Sequence, residues 1–183
     1  MANALSIGID LSLDSRSSYT SMIFADMGAS VLNIQLPRKH KSSLSSQDSL
    51  WDRGKKSIVI DYTHPDGLNI INQLIKTSDV FIGNFNDCKS RKLNLSYKSL
   101  EALNPMLIYS VSPVLSGDYF LDSEFNDEGL ISAYAGIYGD EADTDGTPFF
   151  VNISLATYSA AWLSAYGIVT ALINRQIIGQ GQI

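Results

Sequence analysis

A chain of 183 residues is long enough for one domain with a core, and 45% apolar against 17% charged residues excludes a disordered one. The net charge of −6 is uneven: residues 1–98 carry 12 Lys/Arg against 9 Asp/Glu, whereas residues 99–183 carry only Arg175 against 10 acids. That acidic half argues against nucleic acid as a partner, while the basic half suits a smaller polyanion such as a nucleotide-type cofactor, or is simply solvated surface.

The first third alternates strand and helix signals. Leu5–Leu11 reads as a short apolar strand. Ser17 or Ser18 is placed to cap a helix running to about Met27, with Met22, Ile23, Phe24 and Ala25 as its buried side and Gly28 as its stop. Ser30–Leu36 is a second strand. The βαβ unit implies a parallel pair with a right-handed crossover.

Pro37 to about Trp51 is polar and serine-rich, a surface loop. Ser57–Tyr62 is the third strand. Pro65 suits a first helical position with His64 or Thr63 as cap, and Leu68, Ile71, Leu74 and Ile75 recur at helical spacing to about Thr77. Asp79–Phe85 is the fourth strand, Ser96 opens a short helix stopped by Asn104-Pro105, and Leu107–Val111 is the fifth strand.

Residues 112–147 are glycine-rich and acidic, with a helical turn expected around Gly129–Ile137 and an exposed loop at Asp140–Gly146. Ser154–Arg175 is a long helix rich in small residues. No charge occurs from Pro148 to Asn174, a span long enough for a bilayer. Polar interruptions such as Asn152, Thr157 and Ser164, and the lack of flanking basic clusters, favour a buried helix over a membrane one. The alternation predicts a single α/β domain over residues 1–183: an open, mostly parallel Rossmann-like sheet flanked by helices, with ligands at the carboxyl ends of its strands.

The lone cysteine, Cys88, allows no intrachain disulfide and, with no secretory leader recognisable, fits the cytoplasm. No helix terminus or histidine is evident beside it, so it reads as an inert thiol. His40 and His64 read as surface or capping residues. No metal-ligand pattern is evident. No Gly-x-Gly-x-x-Gly or phosphate-loop signature follows any strand, which counts against an unrelated nucleotide-binding domain.

Five segments in order resemble the N-terminal half of the class III CoA-transferases (the CaiB/BaiF group, with formyl-CoA transferase and α-methylacyl-CoA racemase). They are Ile9-Asp10-Leu11-Ser12 with Ser21–Val31, Arg53–Asp61, Ser78–Phe81 with Asn84-Phe85, Leu100–Tyr109, and Gly179-Gln180-Gly181-Gln182. The resemblance implies coenzyme A or acyl-CoA as ligand. Its adenine and phosphate end would lie near Ile60, Thr63, Asn84, Phe85, Lys92 and Leu93. Leu13, Asp14, Ser15 and Arg16, in the loop after the first strand, would approach the thioester.

The resemblance also marks departures. Lys92 stands where the family usually has arginine, keeping the charge without the bidentate fork. Ser17-Ser18 replaces a Gly-Pro, Asn33 and Gln35 replace a Lys and a Glu, and Gly83 replaces a Glu. The aspartate that accepts the acyl group in the family corresponds to Thr157, so no catalytic residue is assigned. A hydroxyl needs an adjacent base, and the neighbouring sequence offers none. Glu124, Asp127 and Glu128 are the nearest carboxylates expected in the corresponding active-site loop. The racemase-type histidine, expected near Asn126–Glu128, is missing.

Family members run to roughly twice this length and form interlocked dimers. The resemblance therefore implies a domain associated with acyl-CoA transfer but catalytically incomplete alone. It would be a homo-oligomer, or would pair with a homologous chain or the rest of a parent chain. The alternative is a non-catalytic CoA-binding or scaffold subunit partnering an active homologue.

Overall fold

The computed structural model describes residues 8–11, 15–37, 50–85, 87–112, 128–140, 147 and 153–183. Five strands, β1 (Gly8–Asp10), β2 (Val31–Gln35), β3 (Lys56–Val59), β4 (Val80–Gly83) and β5 (Ile108–Val111), form one sheet in the order β3-β2-β1-β4-β5. Every pairing is parallel, as expected. The order runs outward from β1 on both sides. The chain therefore changes direction of progress between β1 and β4, the kind of switch point at whose carboxyl side open α/β sheets take ligands.

Strand alternation divides the apolar residues into two cores. Phe81 joins Ile9, Ile34, Ile71, Leu100 and Tyr109 on one face. Val80 and Ile82 join Ile23, Phe24, Ile108 and Ile168 on the other. The first face is covered by α2 (Pro65–Ile75), whose buried side includes Ile71 and Ile75. The second is covered by α1 (Ser15–Asp26) and the long C-terminal helix (Leu155–Ile178), here α7, which pack on each other. Between them lie α3 (Asp87–Lys92), α4 (Tyr97–Glu101), α5 (Glu128–Tyr134) and α6 (Ile137–Asp140).

Several local expectations change. β2 to β5 are shorter than their apolar runs, because flanking residues such as Ile60 and Phe85 are buried outside the ladder, and residues 5–7 of the first run lie outside the described residues. α1 begins at Ser15, so Ser17 and Ser18 are helical residues, not caps or loop. Ser17 is buried and donates to the Gly83 carbonyl at 3.4 Å. His64 does cap α2, accepting from the Asp66 amide through Nδ1 at 3.3 Å. Ser96 precedes α4 but bonds Ser99, not a backbone amide. The helix α3 has no periodic apolar signature and escapes sequence reading. It places exposed Cys88 in a helical first turn, contrary to the expectation that no helix terminus is near.

α7 buries one face only. Thr157, Ala161, Ala165, Ile168 and Leu172 face α1 and the sheet, while Leu163, Tyr166, Ile173 and Ile177 are exposed. The buried helix expected from its small residues is buried along one stripe only, where Ala161 and Ala165 lie with Ile168 and Leu172, while Gly167 is exposed. By length and composition α7 is apolar enough to cross a membrane. It ends at Gly179, whose φ of +71° suits a glycine cap. Beyond it Gln182 bridges Ile108 in parallel, extending the sheet past β5. Gly181 permits this, because a Cβ there would lie 2.1 Å from the Leu107 carbonyl oxygen.

Candidate active site

α7 runs opposite to the strands. Its C-terminal Arg175 bonds Asp79 Oδ1 at 2.9 Å, just before β4, so its N-terminus lies toward the strands' carboxyl ends. α1 lies alongside, with the Thr20 hydroxyl 3.4 Å from the Ala161 carbonyl oxygen. Two helix N-termini therefore meet at the end of the sheet where α/β proteins take ligands.

Thr157 occupies the third position of α7 and is buried. Ser154, the residue before the helix, makes no side-chain cap bond. Glu128, the first residue of α5, does that work instead. Its Oε1 accepts from the Ala156 amide at 2.8 Å and its Oε2 from the Thr157 amide at 3.1 Å. The same Oε2 accepts from the Thr157 hydroxyl at 2.7 Å. A carboxylate is favoured at this point because unsatisfied amides and the helix dipole both present positive charge. Glu128, one of the three carboxylates expected in the corresponding loop, thus lies against Thr157 although it is 29 residues upstream. Glu124 and Asp127, the other two candidates, lie outside the described residues.

A second polar centre lies under the carboxyl end of β1. Asp10 is fully buried, and its Oδ2 is 3.0 Å from Lys55 Nζ. Lys55 also donates to the Ser18 carbonyl and hydroxyl oxygens, both at 2.9 Å, and Ser21 donates to Asp10. Asn33 donates to Asp52 at 2.7 Å, and Asp52 lies 3.6 Å from Lys55. Every proton of the ammonium has an acceptor, so this network ties β1, α1 and the approach to β3 together and presents no open valence to a ligand.

Tyr19, Trp51 and Tyr158 form a half-buried aromatic triangle with centroid separations of 4.8, 5.3 and 6.1 Å, all edge-to-face. Sequence reading missed it, because the three rings come from separate segments.

The residues expected around the adenine and phosphate end follow β3 and β4 in the chain. Ile60 and Phe85 are buried in the core, with Leu93 packed against it. Asn84 is half-buried, and Thr63 and Lys92 are exposed. Lys89 lies 5.5 Å over the Phe85 ring. Tyr62 meets Phe85 edge-on at 6.2 Å, and burial pushes its phenol up to about 12. At the other end Leu13 and Asp14 lie outside the described residues, Ser15 begins α1, and Arg16 is buried. Among the described residues no group of His, Cys, Asp and Glu is arranged to hold a metal ion.

Residues 9–183 match the sequence profile of CoA-transferase family III. A succinate–glutarate CoA-transferase of Agrobacterium fabrum is 29% identical over 181 residues, covering 90% of this chain and 45% of its own. A formyl-CoA:oxalate CoA-transferase of Rhodopseudomonas palustris is 28% identical over 173 residues, covering 88% and 40%. The Mycobacterium tuberculosis protein Rv3272 shares the fold with a TM-score of 0.85 at 22% identity, over 99% of this chain and 53% of that one. A CaiB/BaiF family protein from Brucella suis gives 0.83 at 24% identity, over 98% and 51%. This chain spans about half the length of the curated relatives it matches.

Proposed function

The chain belongs to CoA-transferase family III, and we propose that it is the acyl-CoA-binding domain of such an enzyme, incomplete by itself for moving CoA between carboxylates. The observation that carries this reading is the side chain at position 157. Transfer through a mixed anhydride needs a carboxylate there, and Thr157 supplies a hydroxyl engaged by Glu128. The family match supports the ligand class.

In this reading the adenine and phosphate end of CoA meets Ile60, Thr63, Asn84, Phe85, Lys92 and Leu93. The exposed cations Lys89, Arg91 and Lys92 of α3 support that assignment, since a phosphate group needs positive charge in reach of solvent. The thioester end lies toward Leu13, Asp14, Ser15 and Arg16, at the start of α1. The cytoplasm is its setting.

A second reading makes the chain a non-catalytic subunit of an active homologue. The outer face of α7 favours it: Leu163 is 71% exposed, Tyr166 75% and Ile177 78%. An apolar surface of that kind calls for a covering partner, either a homologous chain or further chain of the same protein.

Calorimetric titration of CoA and acetyl-CoA into the purified protein tests both readings. Saturable binding weakened by Lys92→Ala supports the first. Absence of binding at millimolar ligand removes CoA from the account and leaves the scaffold role.

A further inference from the structure

We propose that Thr157 and Glu128 form a nucleophile–base pair that hydrolyses acyl-CoA thioesters through an acyl-threonine. This inference rests on the reading that acyl-CoA is the ligand. A hydroxyl nucleophile needs a base within about 2.6–3.2 Å and a third group that orients the base. The Thr157 hydroxyl donates to Glu128 Oε2 at 2.7 Å. The orienting groups are the Ala156 and Thr157 amides, which bind one carboxylate oxygen each and fix its plane. A helix cap alone needs only those two amide bonds. The hydroxyl bond is additional to it.

The chemistry balances without a further reactant except water. Thr157 Oγ1 attacks the thioester carbonyl carbon and its proton passes to Glu128. The carbon–sulfur bond breaks, and the proton moves on to the departing sulfur, releasing CoA thiol. Water then attacks the threonyl ester and gives a proton to Glu128. The ester bond to Thr157 breaks, Oγ1 regains the proton, and a carboxylic acid leaves. The net reaction is thioester plus water to acid plus thiol. In an aspartyl anhydride the CoA thiolate can attack the aspartyl carbonyl, forming an aspartyl thioester and expelling the acyl group as a carboxylate. The threonine side chain has no carbonyl on which CoA could be held, so the same position that loses transfer gains hydrolysis.

The test follows CoA thiol release from acetyl-CoA by the full chain, with CoA binding titrated on the same preparation. Thiol release is expected in the unaltered protein and in Thr157→Ser. It is expected to fall by about 10²–10⁴-fold in Glu128→Gln, the usual contribution of a general base, and to vanish in Thr157→Val, while both variants still bind CoA. Intact mass and peptide mapping should place an acetyl group on Thr157 that survives neutral hydroxylamine. A hydroxylamine-labile adduct, or one on Glu128, overturns the proposal in favour of an anhydride. Thiol release undiminished in Thr157→Val overturns it too. CoA binding without thiol release overturns this inference alone, and no CoA binding overturns it together with the functional reading beneath it.

Discussion

Lys55 Nζ lies 3.0 Å from Asp10 Oδ2, and neither side chain reaches solvent. The two residues are 45 apart in sequence, and each sits in a segment that carries the family resemblance. The shared motif is therefore structural at these positions: it locks α1 and the approach to β3 onto β1.

Lys55→Met should destabilise the fold by about 3–5 kcal/mol, because it strands a buried carboxylate among groups that cannot neutralise it. Adding Asp10→Leu to the same protein should recover part of that loss, since an apolar pair carries no desolvation penalty. Urea denaturation of the two single variants and the double variant measures the coupling. Additive losses would show that the pair acts as two independent groups.

Two glycines should respond in opposite directions. A Cβ at Gly67 would lie 2.0 Å from the Asp61 carbonyl oxygen, so Gly67→Ala must move backbone and should cost about 1–3 kcal/mol. At Gly167 nothing lies within 4 Å of that position. Gly167→Ala should stabilise the helix by about 0.5–1 kcal/mol. Thermal unfolding of both variants reads the contrast directly.

The Tyr62 hydroxyl is buried and, among the described residues, has no hydrogen-bond partner. Tyr62→Phe should therefore raise stability by about 1 kcal/mol, the desolvation penalty it removes. Burial also raises the Tyr62 and Tyr109 phenols from 10.0 to about 12. The unfolded chain releases these protons first, so stability is retained below pH 10 and declines as pH rises toward 12. Spectrophotometric titration should place these two phenols among the last to ionise, with one fewer such phenol in Tyr62→Phe.

Glu128 holds the start of α7 from another helix. Glu128→Ala should lower stability by about 0.5–2 kcal/mol, the range for losing a helix cap, and Glu128→Gln by less because its amide oxygen still accepts. Equal losses in the two variants would mean that the carboxylate contributes through charge and not through its bonds.

Much of the architecture was legible in the chain. Apolar runs separated by helical periodicities identified β1 to β5 as parallel strands, because each apolar face must be buried and a parallel crossover needs a helix. Pro65 behind His64 located α2, since a fixed φ and a side-chain acceptor are local properties. α3 was not legible: six mostly polar residues, Asp87–Lys92, carry no period. The aromatic triangle was not legible either, since no local rule links Tyr19, Trp51 and Tyr158.

Local chemistry determined the elements, the helix end at Gly28 and the presence of a hydroxyl at position 157. The tertiary structure alone decided what that hydroxyl faces. Glu128 stood among three acids of a loop-rich stretch, equivalent by sequence to its neighbours. The start of α7 distinguishes it, because unsatisfied amides at a helix N-terminus draw in whichever carboxylate the fold brings within reach. Asp10 and Lys55 follow the same rule: burial removes water as an alternative partner, so their pairing is set by the packing of β1, α1 and the approach to β3.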